Sequence, residues 1–121
     1  MNVKILEKKL VIIEKRIEKI KTKLISIKEM RPGSLTKQYK DPKKKKGGFY
    51  QLSYTHKMRS RTEYIRPQFL KEIRKQIKSY KEFKKLMEEW IDLGIEHSKI
   101  KIEIGKNRSY FKSMAKTKKN S

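Results

Sequence analysis

Between residues 3 and 27 the apolar side chains fall at Val3, Leu6, Leu10, Ile13, Ile17, Ile20, Leu24 and Ile27, an unbroken alternation of three- and four-residue steps. That spacing is the seam of a heptad repeat, with Val3, Leu10, Ile17 and Leu24 at a and Leu6, Ile13, Ile20 and Ile27 at d. Lysine and glutamate flank it, as Glu14 and Glu18 do beside Lys15 and Lys19. The pattern predicts a helix over residues 3–30, closed by Pro32-Gly33. A seam of this kind is structural and needs a partner. The partner is either a second helix folded back on it or a second copy of the chain, and Ile at both a and d leans toward higher-order association. We expect fold-back, with the exposed remainder mediating a homodimer or a larger oligomer.

A second helix is predicted over residues 67–104. Pro67 suits its first turn, and Gly105 is a natural stop. Its apolar positions include Leu70, Ile73, Ile77, Tyr80, Phe83, Met87, Trp90 and Ile91. Met87 and Trp90 join Leu6, Leu10, Ile13, Ile17, Ile20, Leu24 and Ile27 as candidate helix or oligomer interface. Between the helices the period changes to two. Tyr50, Leu52 and Tyr54 alternate with Gln51 and Ser53, and Thr62 and Tyr64 share a parity further on. Alternating β-branched and aromatic residues predict strands, here a hairpin over residues 48–66. Ser34–Tyr39 is a candidate short third strand. The expected fold is mainly α with a small β-hairpin, two long helices forming an antiparallel coiled-coil stalk around it. It occupies a single domain, residues 1–105, followed by a basic tail, residues 106–121, disordered when free.

Charge then narrows the function. The 121 residues carry 35 Lys+Arg against 13 Asp+Glu, a formal net charge of +22. The excess is uneven. Residues 31–66 hold 11 basic and 2 acidic side chains, and residues 105–121 hold 6 basic and none acidic, whereas residues 67–104 hold 9 and 7. Solvated helix surfaces interleave the two signs; the middle and the tail do not. Concentrated like charge repels itself unless an anion relieves it, and nucleic acid is the usual polyanion. The chain has no cysteine, which removes disulfides and Cys-ligated zinc. His56 and His97 lack the spacing of a metal site. The two aspartates, Asp41 and Asp92, give no carboxylate cluster for catalytic cations. No phosphate loop or activated nucleophile is visible. We therefore expect no enzyme, no cofactor and no metal. No apolar run approaches the length of a membrane span.

Several motifs of the middle and second helix have a familiar order: Gly33-Ser34-Leu35 with Gln38-Tyr39, Gly48-Phe49-Tyr50-Gln51-Leu52-Ser53-Tyr54, Ser60-Arg61-Thr62 with Tyr64-Ile65, then Tyr80-Lys81-Glu82-Phe83-Lys84. Together they resemble a short uncharacterised prokaryotic family, over roughly residues 31–100, whose members read GSL..QY, GPYYxLSY and NYxxFxxL. Members are often labelled transposase-related or mobile-element proteins, which implies a DNA partner. Relatives carry a cysteine cluster between the first two motifs, suggesting a small metal knuckle. Here residues 40–47 fill that gap with a lysine run.

The candidate nucleic-acid contacts follow from the basic clusters. Lys37, Lys40 and the run Lys43, Lys44, Lys45 and Lys46 form a phosphate-gripping loop. Lys57, Arg59, Arg61 and Arg66 line the neighbouring strands, with Arg59 and Arg61 on one face. Lys106, Arg108, Lys112, Lys116, Lys118 and Lys119 supply a second contact from the tail. The aromatics read mainly as the hairpin's core, but Phe49 has the opposite parity to Tyr50 and Tyr54 and is the best candidate to stack on a base. The expected function is non-enzymatic nucleic-acid binding, with duplex DNA favoured over RNA. The grip is on the backbone with little base specificity, in an architectural, packaging or mobile-element accessory role. A cytoplasmic, nucleoid-associated location goes with it. Two alternatives stand beside it: a coiled-coil adaptor or inhibitor of a protein partner, and an RNA- or ribosome-associated basic protein.

Overall fold

The computed structural model describes residues 2–116. In order, the elements are α1 (Val3–Ser26), β1 (Ser34–Asp41), β2 (Lys46–His56), β3 (Arg59–Ile65), a 3-10 turn (Pro67–Phe69) and α2 (Leu70–Lys116). They form two compact units. One holds the residues up to Leu24 with those from Leu86 onward; the other is Ile25–Lys85.

The first unit is helical. Asn2 opens α1: its side-chain oxygen accepts the Lys4 N–H at 2.7 Å and its carbonyl accepts the N–H groups of Ile5 and Leu6, satisfying donors a helix start otherwise leaves orphaned. The heptad seam is used unequally. The d residues Leu6, Ile13 and Ile20 are buried, while Val3, Leu10, Ile17 and Leu24 at a are half-buried. On α2 the matching buried row is Leu86, Leu93 and Ile100, joined by Ile104. Polar side chains cross between the same two segments. Glu7 pairs with Arg108, Glu14 Oε1 accepts from His97 Nε2 at 3.0 Å, and Lys21 lies 5.5 Å from the centre of the Trp90 ring. Numbers rise along α1 as they fall along α2, so the two segments run antiparallel.

The second unit is a sheet packed on a helix. β1, β2 and β3 make an antiparallel meander in the order β1-β2-β3. Leu35 pairs Leu52, and Tyr50 pairs Ile65, so these side chains share one face. That face packs on α2. Leu52, Ile65 and Ile77 form its buried centre, with Leu35, Tyr50, Tyr54, Leu70 and Ile73 around them. Leu52 is fully buried. Gly33 makes this possible: its φ is +139°, and a Cβ there would stand 2.5 Å from Leu52 Cδ1. Arg31 fastens the sheet edge. Its N–H donates to the Gln76 carbonyl, its guanidinium donates to Glu63 at 2.7 Å, and its head lies 5.1 Å from the centre of the Tyr54 ring.

Four features differ from the sequence expectation. The helix predicted over 3–30 ends at Ser26; beyond it the chain follows α2, with Gln76 Nε2 donating to Glu29, so Ile27 lies outside the helical unit and off its seam. The hairpin over 48–66 is a three-stranded sheet, because β1 runs through to Asp41 and β2 begins at Lys46. The second helix, predicted over 67–104, starts at Leu70 and does not stop at Gly105. A stopping glycine adopts a left-handed φ, and Gly105 does not. Ile104 is buried just before it and Arg108 pairs with Glu7 just after it, which holds the next turn in place. Residues 106–116 are therefore helix rather than tail. Finally, the apolar stripe of α2 does not keep one phase: Ile77, Tyr80, Phe83 and Leu86 are three successive steps of three. Leu86 and Leu93 are buried, and Met87 and Trp90 only half-buried.

Candidate nucleic-acid interface

The lysine run is built into a turn. Asp41 pairs with Lys46 across the β1–β2 hairpin, and residues 42–45 form its tip. Asp41 Oδ1 accepts the Lys44 N–H at 3.2 Å, the local bond by which aspartate shapes turns. Lys45 takes a left-handed φ of 53°, and Gly47 follows with 68°. Two lysine side chains then cross β2 where it has no side chain of its own: Lys40 over Gly47 and Lys37 over Gly48, with contacts that a Cβ would bring to 3.0 and 2.9 Å. The Gly-Gly pair is thus a place where basic stems lie flat on the strand.

The second basic cluster sits on the β2–β3 turn. His56 pairs with Arg59, leaving Lys57 and Met58 as the two turn residues. Both have positive φ, 52° and 65°, the geometry of a type I′ turn that Asn-Gly usually supplies. Met58 is 97% exposed. Arg59 and Arg61 lie on one face of β3, opposite His56 and Tyr54.

These clusters are not side by side, as the sequence reading placed them. β2 is 11 residues long, and consecutive hairpins of a meander turn at opposite ends of their shared strand. The Lys43–Lys46 tip and the Lys57–Arg61 tip are separated by the length of β2, about 35 Å at 3.3 Å per residue.

The two sheet faces differ. On the face packed against α2, Lys37 lies 5.5 and 6.0 Å from the ring centres of Tyr39 and Tyr50, and Arg74 lies 5.5 Å from Tyr50. Lys37 and Arg74 thereby cover the edge of the core. The other face carries Ser34, Thr36, Gln38 and Lys40 from β1, Phe49, Gln51, Ser53 and Thr55 from β2, and Ser60, Thr62 and Tyr64 from β3, by strand parity. Its one charge is Lys40, and it has no acid. Phe49 and Tyr64 meet there with ring centres 6.1 Å apart; Tyr64 is 59% exposed. Hydroxyls and amides satisfy one another nearby, Gln38 donating to Thr36 and Thr55 bonding Ser60.

Of the anticipated contacts, Lys40, Lys43, Lys44, Lys45, Lys46, Lys57, Arg59, Arg61 and Arg66 are exposed in the sheet unit. Phe49 points away from the core, as its parity requires. The tail residues do not form a separate arm. Lys106 is exposed on α2, Arg108 is engaged by Glu7, and Lys112 and Lys116 lie on the last turns of α2. Lys118 and Lys119 lie outside the described residues. Tyr64 was assigned to packing in the sequence, although its parity relative to Ile65 already separated it from the core. Arg31 and Arg74 have no sequence signal: their roles come from contacts 23 and 24 positions away in the chain, to Tyr54 and Tyr50.

Among the described residues no cluster of His, Cys, Asp or Glu has the arrangement to hold a metal ion, and no helix is long and apolar enough to cross a membrane. No family model, curated protein or solved structure matches this chain.

Proposed function

We propose that the protein is a non-enzymatic nucleic-acid-binding protein, with DNA the preferred partner, that grips the phosphate backbone through the two basic tips of its sheet. One observation carries this reading: both acids of residues 31–66 are spent inside the unit. Asp41 shapes the lysine turn and Glu63 holds Arg31, so among the described residues no acid pairs with the exposed bases at either tip. Each phosphate neutralised by such a base releases counterions, which drives binding at low salt. Lysine outnumbers arginine in the clusters, and lysine contacts position a backbone more than they read bases. The separation of the tips is close to one turn of duplex, about 34 Å. An architectural or mobile-element accessory role, in the cytoplasm and at the nucleoid, fits these properties. The test is binding of the full chain to duplex DNA across a salt series, with Lys43, Lys44, Lys45 and Lys46 all replaced by Gln as comparison.

A second reading is favoured by a different surface. We read α1 and the facing half of α2 as an antiparallel coiled coil. On α2 Ile91, Ile95 and Ile102 are 56%, 51% and 55% exposed, at steps that align them on one stripe. Glu88 and Asp92 flank one end of the stripe and Lys99 and Lys106 the other. Two copies of such a stripe, laid antiparallel, set acid against base along their length. This supports a homodimer, and it leaves room for an adaptor function in which Glu88, Glu89, Asp92 and Glu96 meet a protein partner.

A further inference from the structure

We infer that the outer face of the sheet is a stacking platform for unpaired nucleic-acid bases, so that the preferred ligand contains a single-stranded segment. This rests on the nucleic-acid reading above and specifies what lies between its two basic tips. Phe49 and Tyr64 stand together on a face that buries nothing of this chain's core, with ring centres 6.1 Å apart. Tyr64 is exposed and Phe49 half-buried, and neither belongs to the core, which Leu52, Ile65 and Ile77 make on the opposite face. Around the rings are Gln38, Gln51 and Thr36, groups that both donate and accept hydrogen bonds as base edges do. Lys40 lies flat over Gly47 on the same face, one register step from Phe49. The face has no acid to repel a phosphate.

A duplex has no use for these rings, because its bases are already stacked on one another and shielded by the backbone. A strand with free bases does. Its phosphates can meet Lys40 and the Lys43–Lys46 tip at one end and Lys57 of the β2–β3 turn at the other, while its bases lie on Phe49 and Tyr64. Small basic sheets with aromatic side chains bind unpaired bases by this division of labour. A protein partner is disfavoured by composition: apart from the two rings, the face offers hydroxyls, amides and one lysine, not the apolar centre of a protein interface.

The experiment compares fluorescence anisotropy of labelled oligo-dT, oligo-U and a matched duplex, each about 20 nucleotides long, against the full chain. Variants are the double substitution Phe49→Ala with Tyr64→Ala and the conservative pair Phe49→Trp with Tyr64→Phe, the latter in a Trp90→Phe background. Alanine substitution should weaken oligo-dT and oligo-U binding about tenfold per ring, leave duplex binding within about twofold, and leave the salt slope unchanged. The conservative variant should bind single strands as the parent does, with its new indole quenched on binding. Ranking dT against U tells whether the strand is DNA or RNA. Undiminished single-strand affinity in the alanine variant, an equal loss for duplex and single strand, or an unquenched indole overturns the inference and leaves the phosphate grip standing. Failure of the parent chain to bind any of the three ligands overturns both.

Discussion

Gly33 carries more of the sheet unit than its size implies. It combines a φ of +139° with a backbone so close to Leu52 that a methyl group would overlap that fully buried side chain. Alanine is strained in that conformation, and the overlap displaces Leu52. We expect Gly33→Ala to destabilise the protein by about 2 kcal/mol, combining a backbone term with overpacking. A urea unfolding midpoint measures this; an unchanged midpoint contradicts it. The glycines of α2 behave in the opposite sense. A Cβ at Gly94 or Gly105 meets nothing within 4 Å, so Gly94→Ala and Gly105→Ala should each stabilise the helix by about 0.5–1 kcal/mol. Thermal unfolding followed at 222 nm reads the gain, and a lower melting temperature in either variant rules out continuous helix at that position. At this scale the sequence was partly legible. The outward direction of Phe49 follows from parity alone. The clamp made by Arg31, Glu63 and Tyr54 does not, because it depends on tertiary register that no local pattern encodes.

Among the elements, α1 was the most legible, because its seam is uninterrupted and its flanks are polar. Its end was not: Ile27 continues the seam arithmetic, yet the chain leaves the helix at Ser26 to bond α2 through Glu29 and Arg31. The sheet was half legible. Tyr50, Leu52 and Tyr54 announce a strand, but Lys37 and Lys40 obscure β1, since their stems cross the glycines of β2 instead of presenting an alternating apolar face. α2 hid its core for a different reason. Met87, Trp90 and Ile91 are larger or equally apolar neighbours of the residues that become buried, and the phase change across Tyr80, Phe83 and Leu86 moves the stripe from one set to another. Gly105 misled because a glycine stops a helix only when a left-handed turn follows. Here a buried Ile104 and the Arg108–Glu7 pair continue the helix instead.

For the molecule as a whole, the proposed function rests on two surfaces. The isoleucine stripe Ile91, Ile95 and Ile102 predicts self-association. Sedimentation velocity of the full chain at tens of micromolar should give a dimer, and Ile95→Glu should give a monomer of unchanged helix content. A monomeric parent chain removes the dimer reading. The basic sheet was legible as charge but not as arrangement. Counting 11 bases over residues 31–66 predicted a polyanion partner; only the meander puts the two clusters at opposite ends of β2 with an aromatic face between them whose one charge is Lys40.

The central claim is the phosphate grip, and the most direct measurement of it is the salt dependence of DNA binding by the full chain. The logarithm of the binding constant should fall linearly and steeply with the logarithm of salt concentration. Replacing Lys43, Lys44, Lys45 and Lys46 by Gln should weaken binding at low salt and make the slope shallower by about 2 to 4, close to 0.9 for each phosphate contact removed. Binding that does not respond to salt, or a slope that survives loss of the four lysines, contradicts the account.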